Sequence, residues 1–322
     1  MNQFFCEIFS IFCVFLCEKI LYNRAILTMK ERLIMFKNIL WWLLFIFAIY
    51  YLIYMLTDIW KHRHTFEHET SPLLCSCFAF VCLFFDVLGI GAFAPHTTLY
   101  RFFHQVDDRI IPGTLNVGNA IPTVLQGLIF IKLIVVDTTT LILMILAAVL
   151  GSVIGAKFVS HWDKRKIQLS MGVALLITAF FMLGSATGWL AINGTKTILV
   201  GFPLIIGVFI NFILGALMTV GVGLYSPCMA LVSMLGMSPR AAFPIMMGSC
   251  SFLMPACAMT FIKEDAYNRK AALCSTIAGS AGVLLAAFVV KSLPLQVLRW
   301  GVVIVVVYTG LSMLHSAHQK QA

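Results

Sequence analysis

The chain is written in long apolar blocks, and a block of that kind has few places to fold. Residues 38–60 read NILWWLLFIFAIYYLIYMLTDIW, and residues 140–159 read TLILMILAAVLGSVIGAKFV. Each has the length of a bilayer-spanning helix. Hydrophobic residues make up 61% of the chain and charged residues 11%, against about half and about a quarter in soluble domains. The blocks do not alternate as the strands of a membrane barrel do. These features predict an all-α, polytopic protein, multi-pass in a cell membrane of the bacterial inner-membrane type.

Nine transmembrane helices are expected, over 38–60, 71–94, 112–133, 138–160, 167–190, 197–222, 242–262, 270–290 and 295–315. Residues 96–106 and 228–237 are too short to cross and read as half-helices or re-entrant segments. Residues 1–34 stand apart. The apolar stretch 4–20 carries Glu7 and fits an extra span, an interfacial helix or a signal-like segment, and translation from Met29 or Met35 leaves it out. Residues 35–70 add an N-terminal span and its loop. With the N-terminus cytoplasmic, Lys19, Arg24, Lys30, Arg32, Lys37, Arg101, Arg109, Lys157, Lys164, Arg165, Lys166, Arg240, Lys291 and Arg299 fall inside. Lys61, Arg63, Lys132, Lys196, Lys263, Arg269, Lys270 and Lys320 then fall outside. The positive-inside rule favours that arrangement.

Two of the apolar blocks are broken in the same way. GIGAFAP (residues 89–95) and GVGLYSP (residues 221–227) lie 132 residues apart, and at that offset Gly89 falls on Gly221, Gly91 on Gly223, Pro95 on Pro227 and Pro112 on Pro244. The chain has ten prolines, so two coincidences at one offset divide it into homologous halves, 71–190 and 191–322. Backbone N–H and C=O groups are not left bare in lipid, so a mid-membrane break faces protein, water or a ligand. Glycine lets the backbone turn, and proline starts the next helix. The new N-terminus offers free N–H groups and a positive dipole end, which suits an anion. Interrupted helices at matching positions of two repeats point to a secondary transporter.

The stretches DVLGIGAFAP, IPGTLNVGNAIP, GSVIGAKFVSHWDKRKIQLSMGV and GALMTVGVGLYSPCMALVSMLGMSPRAAFPIMMGSCSFLMP resemble the sulfite-exporter, TauE/SafE-like membrane transporter family over roughly residues 71–315. The family's glycine runs are shortened here to GIG and GVG. The resemblance implies two repeated halves and secondary transport, mainly export, of a small anion, often a sulfur oxyanion or organosulfonate such as sulfite. Alternating access at a mid-membrane site between the repeats is the mechanism expected.

An oxyanion site needs donors. Substrate-binding candidates are Gly89, Gly91, Pro95 and Thr97 at the first break, and Gly221, Gly223, Ser226 and Pro227 at the second. Asn116, Gly118 and Asn119 in TLNVGN, with Gly248, Ser249 and Ser251 in MMGSCS, complete the set. The rival reading of such Ser, Thr and Gly positions is helix packing, and for Gly151, Ser152 and Gly155 packing is preferred. Asp86, an acid three residues before Gly89, is the coupling candidate. The expected partners are a small anionic substrate, the lipid bilayer, a coupling proton or ion, and a second copy in a homo-oligomer. No nucleic-acid partner, cofactor or metal site is expected. The net charge of +9 suits cationic loops, and His62, His64 and His68 read as a solvated loop. No catalytic motif is present, so the chain is not read as an enzyme. Two alternatives stay open: a membrane thiol–disulfide electron carrier using intramembrane cysteines such as Cys228 and Cys250, and an anion channel.

Overall fold

The computed structural model describes residues 29–64, 66–67, 69–87, 91–130, 136–187, 195–221, 223–289 and 295–318. The chain divides into two compact units, residues 1–40 and 41–322. The described part of the first, residues 29–40, is helical and opens α1 (Met29–Lys61). The second unit holds the rest of α1 and ten more helices among the described residues. These are α2 (Pro72–Asp86), α3 (Phe93–Phe102), α4 (Ile111–Phe130), α5 (Thr138–Val159), α6 (Lys164–Ala186), α7 (Phe202–Met218), α8 (Tyr225–Met234), α9 (Pro239–Lys263), α10 (Arg269–Val289) and α11 (Leu295–His318).

Among the described residues, four stretches are long and apolar enough to cross a membrane: Met35–Lys61, Thr138–Val159, Pro244–Lys263 and Arg269–Phe288. Large apolar side chains face outward along them. On α1, Trp42, Ile46, Ile49, Ile53 and Trp60 are exposed while Leu44, Tyr51, Met55 and Ile59 are buried. A helix greasy on its outer face needs lipid there. The protein is a multi-pass membrane protein.

Local chemistry sets the helix starts. Asp137 caps α5 by accepting from Thr140 N, Asp163 caps α6 through Lys166 N, and Ser238 caps α9 through Ala241 N. Proline stands in the first turn of α2, α7 and α9. Helices α3 and α8 start at Ala92 and Leu224, with no side-chain cap from either residue.

Neither broken block is among those four stretches. α2 is 15 residues long and α7 is 17, short of the roughly 20 residues typical of a spanning helix, and each is followed by a helix that turns back. Thr70 and Ser71, just before α2, hydrogen-bond Gln105 just beyond α3, at 3.0 and 2.7 Å. Lys196, before α7, pairs with the strand-like turn after α8 through Lys196 N to Gly236 O at 3.2 Å and Ser238 N to Lys196 O at 2.9 Å. The segments expected to span at 71–94 and 197–222 thus each contribute the first arm of a helical hairpin, α2 with α3 and α7 with α8.

The hairpins open at opposite ends of the helix array. At end A, Asp58 meets Arg269 at 2.9 Å, Asp107 meets Lys164 at 2.7 Å, and His161 meets Glu264 at 3.4 Å, alongside the Thr70–Gln105 contact. At end B, Asp137 N reaches Thr197 O at 3.0 Å beside the Lys196 turn. Lys61, Arg63, Arg101, Arg109, Lys157, Lys164, Arg165, Lys166, Lys263, Arg269 and Lys270 all gather towards end A. The expected topology separates five of these from the others, because it counts each hairpin as a crossing.

Glycine sets how closely helices approach. A Cβ on Gly151 of α5 would lie 1.9 Å from Phe212 O of α7, and one on Gly215 of α7 would lie 2.2 Å from Ala148 O of α5. Gly155 meets Ala216 and Thr219 in the same way, in line with the packing role read for this stripe. Gly215→Val is expected to destabilise the protein by about 1–3 kcal/mol or more through overpacking. A lower melting temperature of the detergent-purified variant checks it, and an unchanged one would show that α5 and α7 need no such approach.

Candidate functional site

At the first break, α2 ends at Asp86 and the chain turns through Gly91, whose φ is +88°. That backbone conformation favours glycine. The Asp86 side chain is buried. It accepts from Ala92 N at 2.6 Å, at the start of α3, and from Gln126 Nε2 of α4 at 2.7 Å. The Gln126 carbonyl in turn accepts from the Tyr225 hydroxyl at 2.9 Å. Tyr225 is the first residue of α8. The end of α2, the start of α3 and the start of α8 are therefore joined by one buried chain of hydrogen bonds through α4.

The second break turns through Gly221, φ +101°, where an added Cβ would meet the Met171 methyl of α6 at 2.7 Å. The matched glycines Gly91 and Gly223 differ from the others around them. A Cβ built on either has nothing within 4 Å. Both breaks therefore border open space. Pro95 and Pro227 sit in the first turns of α3 and α8, where they have no N–H to donate.

The remaining residues singled out in the sequence divide into two groups. Thr97 and Asn119 are fully buried, and Thr97 Oγ1 and Asn119 Oδ1 have no hydrogen-bond partner. Ser249 accepts from Asn211 Nδ2 of α7 at 3.3 Å, and Asn211 Oδ1 is likewise without a partner. The second group is consumed by packing. Asn116 donates to Pro112 O and accepts from the Cys257 thiol. Ser251 donates to Thr123 O and Met247 O. A Cβ on Gly118 would meet Ser275 at 2.7 Å, and one on Gly248 would meet Ile145 at 3.0 Å. Gly89 lies outside the described residues, and Ser226 is described only by its backbone in α8.

Three members of this region are absent from the sequence candidates: Gln126, the Tyr225 hydroxyl and His96. Gln126 leaves a signal. Asn116, Asn119, Thr123 and Gln126 recur at helical spacing on α4, a polar stripe on an apolar helix. His96 stands beside Thr97 in the chain. It is fully buried, its ring lies 4.3 Å from Tyr100, and its Nε2 has no partner.

A cavity of about 660 Å³ opens at end A beside α3, lined by Thr98, Arg101, Asp107, Lys164, Gln168 and Thr309 among others. Thr98 of α3 and Thr309 of α11 hydrogen-bond at 2.5 Å. Burial acts to raise the Asp107 carboxyl, but the Lys164 ammonium and the Arg109 backbone N–H outweigh it and hold the group below the usual carboxylate range. Among the described residues, no three His, Cys, Asp or Glu side chains are grouped to hold a metal. His68 lies outside them.

Neither the comparison with curated proteins nor that with solved structures returns a match. The comparison with family models does, and the match takes in α1 to α5, most of α6 and the whole of the first break. Over residues 25–182 the chain carries the signature of the family described as Sulfite exporter TauE/SafE.

Proposed function

We infer that the protein is a secondary transporter that exports a small anion, a sulfur oxyanion or organosulfonate such as sulfite, by alternating access at a mid-membrane site. One observation carries this reading. Two oppositely directed hairpins meet at a single buried hydrogen-bonded cluster, Asp86–Gln126–Tyr225, with the glycines Gly91 and Gly223 bordering open space beside it. Each tip offers a helix start, the end of a helix that favours negative charge, filled at α3 by the Asp86 carboxylate. The family match supplies the substrate class.

The helix boundaries support two repeats. α3 and α8 begin and end 132 residues apart, α2 and α7 end 132 apart, and α5 and α10, like α6 and α11, begin 131 apart. The packing partners support an exchange between halves. α2 packs on α10 as α7 does on α5, and α4 on α10 as α9 does on α5. α4 meets α9, and α6 meets α11. A pair of inverted repeats suits alternating access, because rocking one repeat against the other opens the shared site to either side.

In this reading Gly89, Gly91, Pro95, Thr97, Asn119, Gly221, Gly223, Ser226 and Pro227 surround the substrate, with Ser249 held nearby through Asn211. Asn116, Gly118, Gly248 and Ser251 hold helices together. Asp86 is the coupling residue: its carboxylate occupies the positive end of α3 that a substrate anion seeks, and protonation releases it. Asp86→Asn is then expected to flatten the pH dependence of transport. A pH profile identical to that of the unmodified protein would remove Asp86 from coupling.

The cations gathered at end A favour a cytoplasmic position for that end. α1 then runs towards the cytoplasm, the reverse of the side expected for the N-terminus. Cysteines placed at Arg165 and Lys263 should both resist an impermeant thiol reagent in intact cells, and one at Lys196 should react. Opposite labelling of 165 and 263 would exclude this topology.

The function itself is tested in proteoliposomes with sulfite, thiosulfate, sulfoacetate, taurine and simple carboxylates, with and without a pH gradient. Saturable uptake of a sulfur anion is expected. Flux that never saturates would support a channel instead, and no uptake by folded protein would exclude these substrates.

A further inference from the structure

The first break contains a side-chain pair whose outward atoms have nothing to bond. His96, in the first turn of α3, and Asn119 of α4 are both fully buried. His96 Nδ1 and Asn119 Nδ2 stand 3.5 Å apart. The other ends of the pair, His96 Nε2 and Asn119 Oδ1, are buried and unpartnered among the described residues. An unmade hydrogen bond of this kind costs about 1–3 kcal/mol. Two in one pair, from two helices at the break, point to a ligand that completes them.

The pair's own chemistry restricts that ligand. With the Asn119 amide donating to Nδ1, a neutral imidazole carries its hydrogen on Nε2. The pair then presents one donor, Nε2–H, and one acceptor, Oδ1. Reversing the amide and the tautomer together exchanges the two roles and again leaves one donor and one acceptor. A protonated imidazole behaves otherwise. It donates from Nδ1 to the amide oxygen, and only donors remain outward. The neutral ring therefore suits an oxyanion that keeps one proton, and the charged ring suits an oxyanion that keeps none. In both cases ring and ligand together hold one proton more than a neutral ring and a bare oxyanion.

We propose that His96 and Asn119 form a subsite that admits an oxyanion together with one proton taken from solvent, carried either on the oxyanion or on the imidazole. The proposal rests on the transporter reading and names the protonation state of its substrate. The titratable groups around the pair are few. Tyr100 lies on α3 itself, with its hydroxyl 2.7 Å from Ser275 of α10. Cys75 and Cys82 of α2 and Cys274 of α10 act on Tyr100, Asp86 of α2 bonds the start of α3, and Arg101 of α3 is turned to Ser312 and Ser316 of α11. α4 has no ionisable side chain along its length, and α11 faces α3 with Thr309, Ser312 and Ser316.

Calorimetric titration of the purified full-length protein counts the protons. Sulfite and methanesulfonate are titrated in two buffers of different ionisation enthalpy, at a pH where free sulfite is fully deprotonated. Each anion is expected to bind with uptake of one proton. Methanesulfonate is the sharper probe, because it brings no proton and forces the uptake onto the imidazole. In His96→Gln the amide still offers a donor and an acceptor but cannot take a proton. Methanesulfonate should then bind about tenfold more weakly or worse, without proton uptake, while sulfite still binds with its proton. Methanesulfonate binding to the unmodified protein without proton uptake overturns the subsite, and so does unchanged methanesulfonate-linked uptake in His96→Gln. The count on the unmodified protein decides the matter even if the variant does not fold. Binding and vesicle flux without proton uptake overturn the subsite alone, whereas the absence of both binding and flux for either anion overturns the sulfur-oxyanion reading of the transporter and the subsite with it.

Discussion

Replacing Gly223 with leucine should lower saturable anion flux by about a hundredfold, the scale on which misplacing a bound group by an ångström slows a reaction, while the variant inserts and melts like the unmodified protein. The expectation comes from the contrast between glycines. A side chain at Gly118, Gly151 or Gly215 runs into a neighbouring helix, so a loss of function there says only that packing failed. At Gly223 nothing lies within 4 Å of the added Cβ, and the residue has none of the positive φ that strains a side chain. Gly223→Ala should therefore be tolerated, and leucine fills space without pushing protein aside. Gly91 borders the same kind of space but has φ +88°, so even alanine there costs about 1 kcal/mol or more of backbone strain. Gly91→Leu should also stop transport, but Gly223→Leu is the cleaner measurement. Undiminished flux in folded Gly223→Leu would take the second break out of the substrate path.

The second large effect is expected at Gln126. Its amide group bridges Asp86 to Tyr225, and leucine at that position takes one donor from a buried carboxylate and the acceptor from a buried hydroxyl. Removing one partner from a buried charged network costs about 3–5 kcal/mol. Gln126→Leu should thus melt well below the unmodified protein and lose transport. Gln126→Glu tests the cause rather than the size. Two facing carboxylates need a shared proton, so transport in that variant should recover as the pH falls. The exchange Asp86→Asn with Gln126→Glu rebuilds the bond, since the amide then standing at position 86 can donate to the new carboxylate, and it should restore most of the lost stability. Failure of the exchange, with Gln126→Leu as stable as the unmodified protein, would show that the two breaks are held by something else.

Much of this can be read from residues in order. Blocks of apolar residues declare membrane helices because nothing else satisfies a backbone in lipid. Gly91, Pro95, Gly223 and Pro227 declare breaks because glycine and proline act on the backbone where they stand. Thr97, Asn119 and Asp86 stand out as polar groups in apolar surroundings. Polarity also draws attention to Asn116 and Ser251, whose hydrogen-bonding groups are taken up by Pro112, Cys257, Thr123 and Met247. A residue's type states what it can bond, and its neighbours in space determine what it does bond.

Residue order carries local information: where helices run, where they stop, and that two stops match at an offset of 132. It does not carry the direction taken after a stop. Periodicity describes a helix and is blind to the angle at which the next one leaves. Residues 71–94 and 197–222 therefore read as crossings, and cations that the hairpins bring to one end read as divided between two sides. It is the three-dimensional packing that turns α3 and α8 back, because contacts between distant residues hold them there: Gln105 to Thr70 and Ser71 at one end, Lys196 to Gly236 and Ser238 at the other. The same folding carries Tyr225 to Gln126, 99 positions away in the chain. A hydrogen bond across that separation depends on how helices pack, and packing is a property of all the side chains together rather than of either partner.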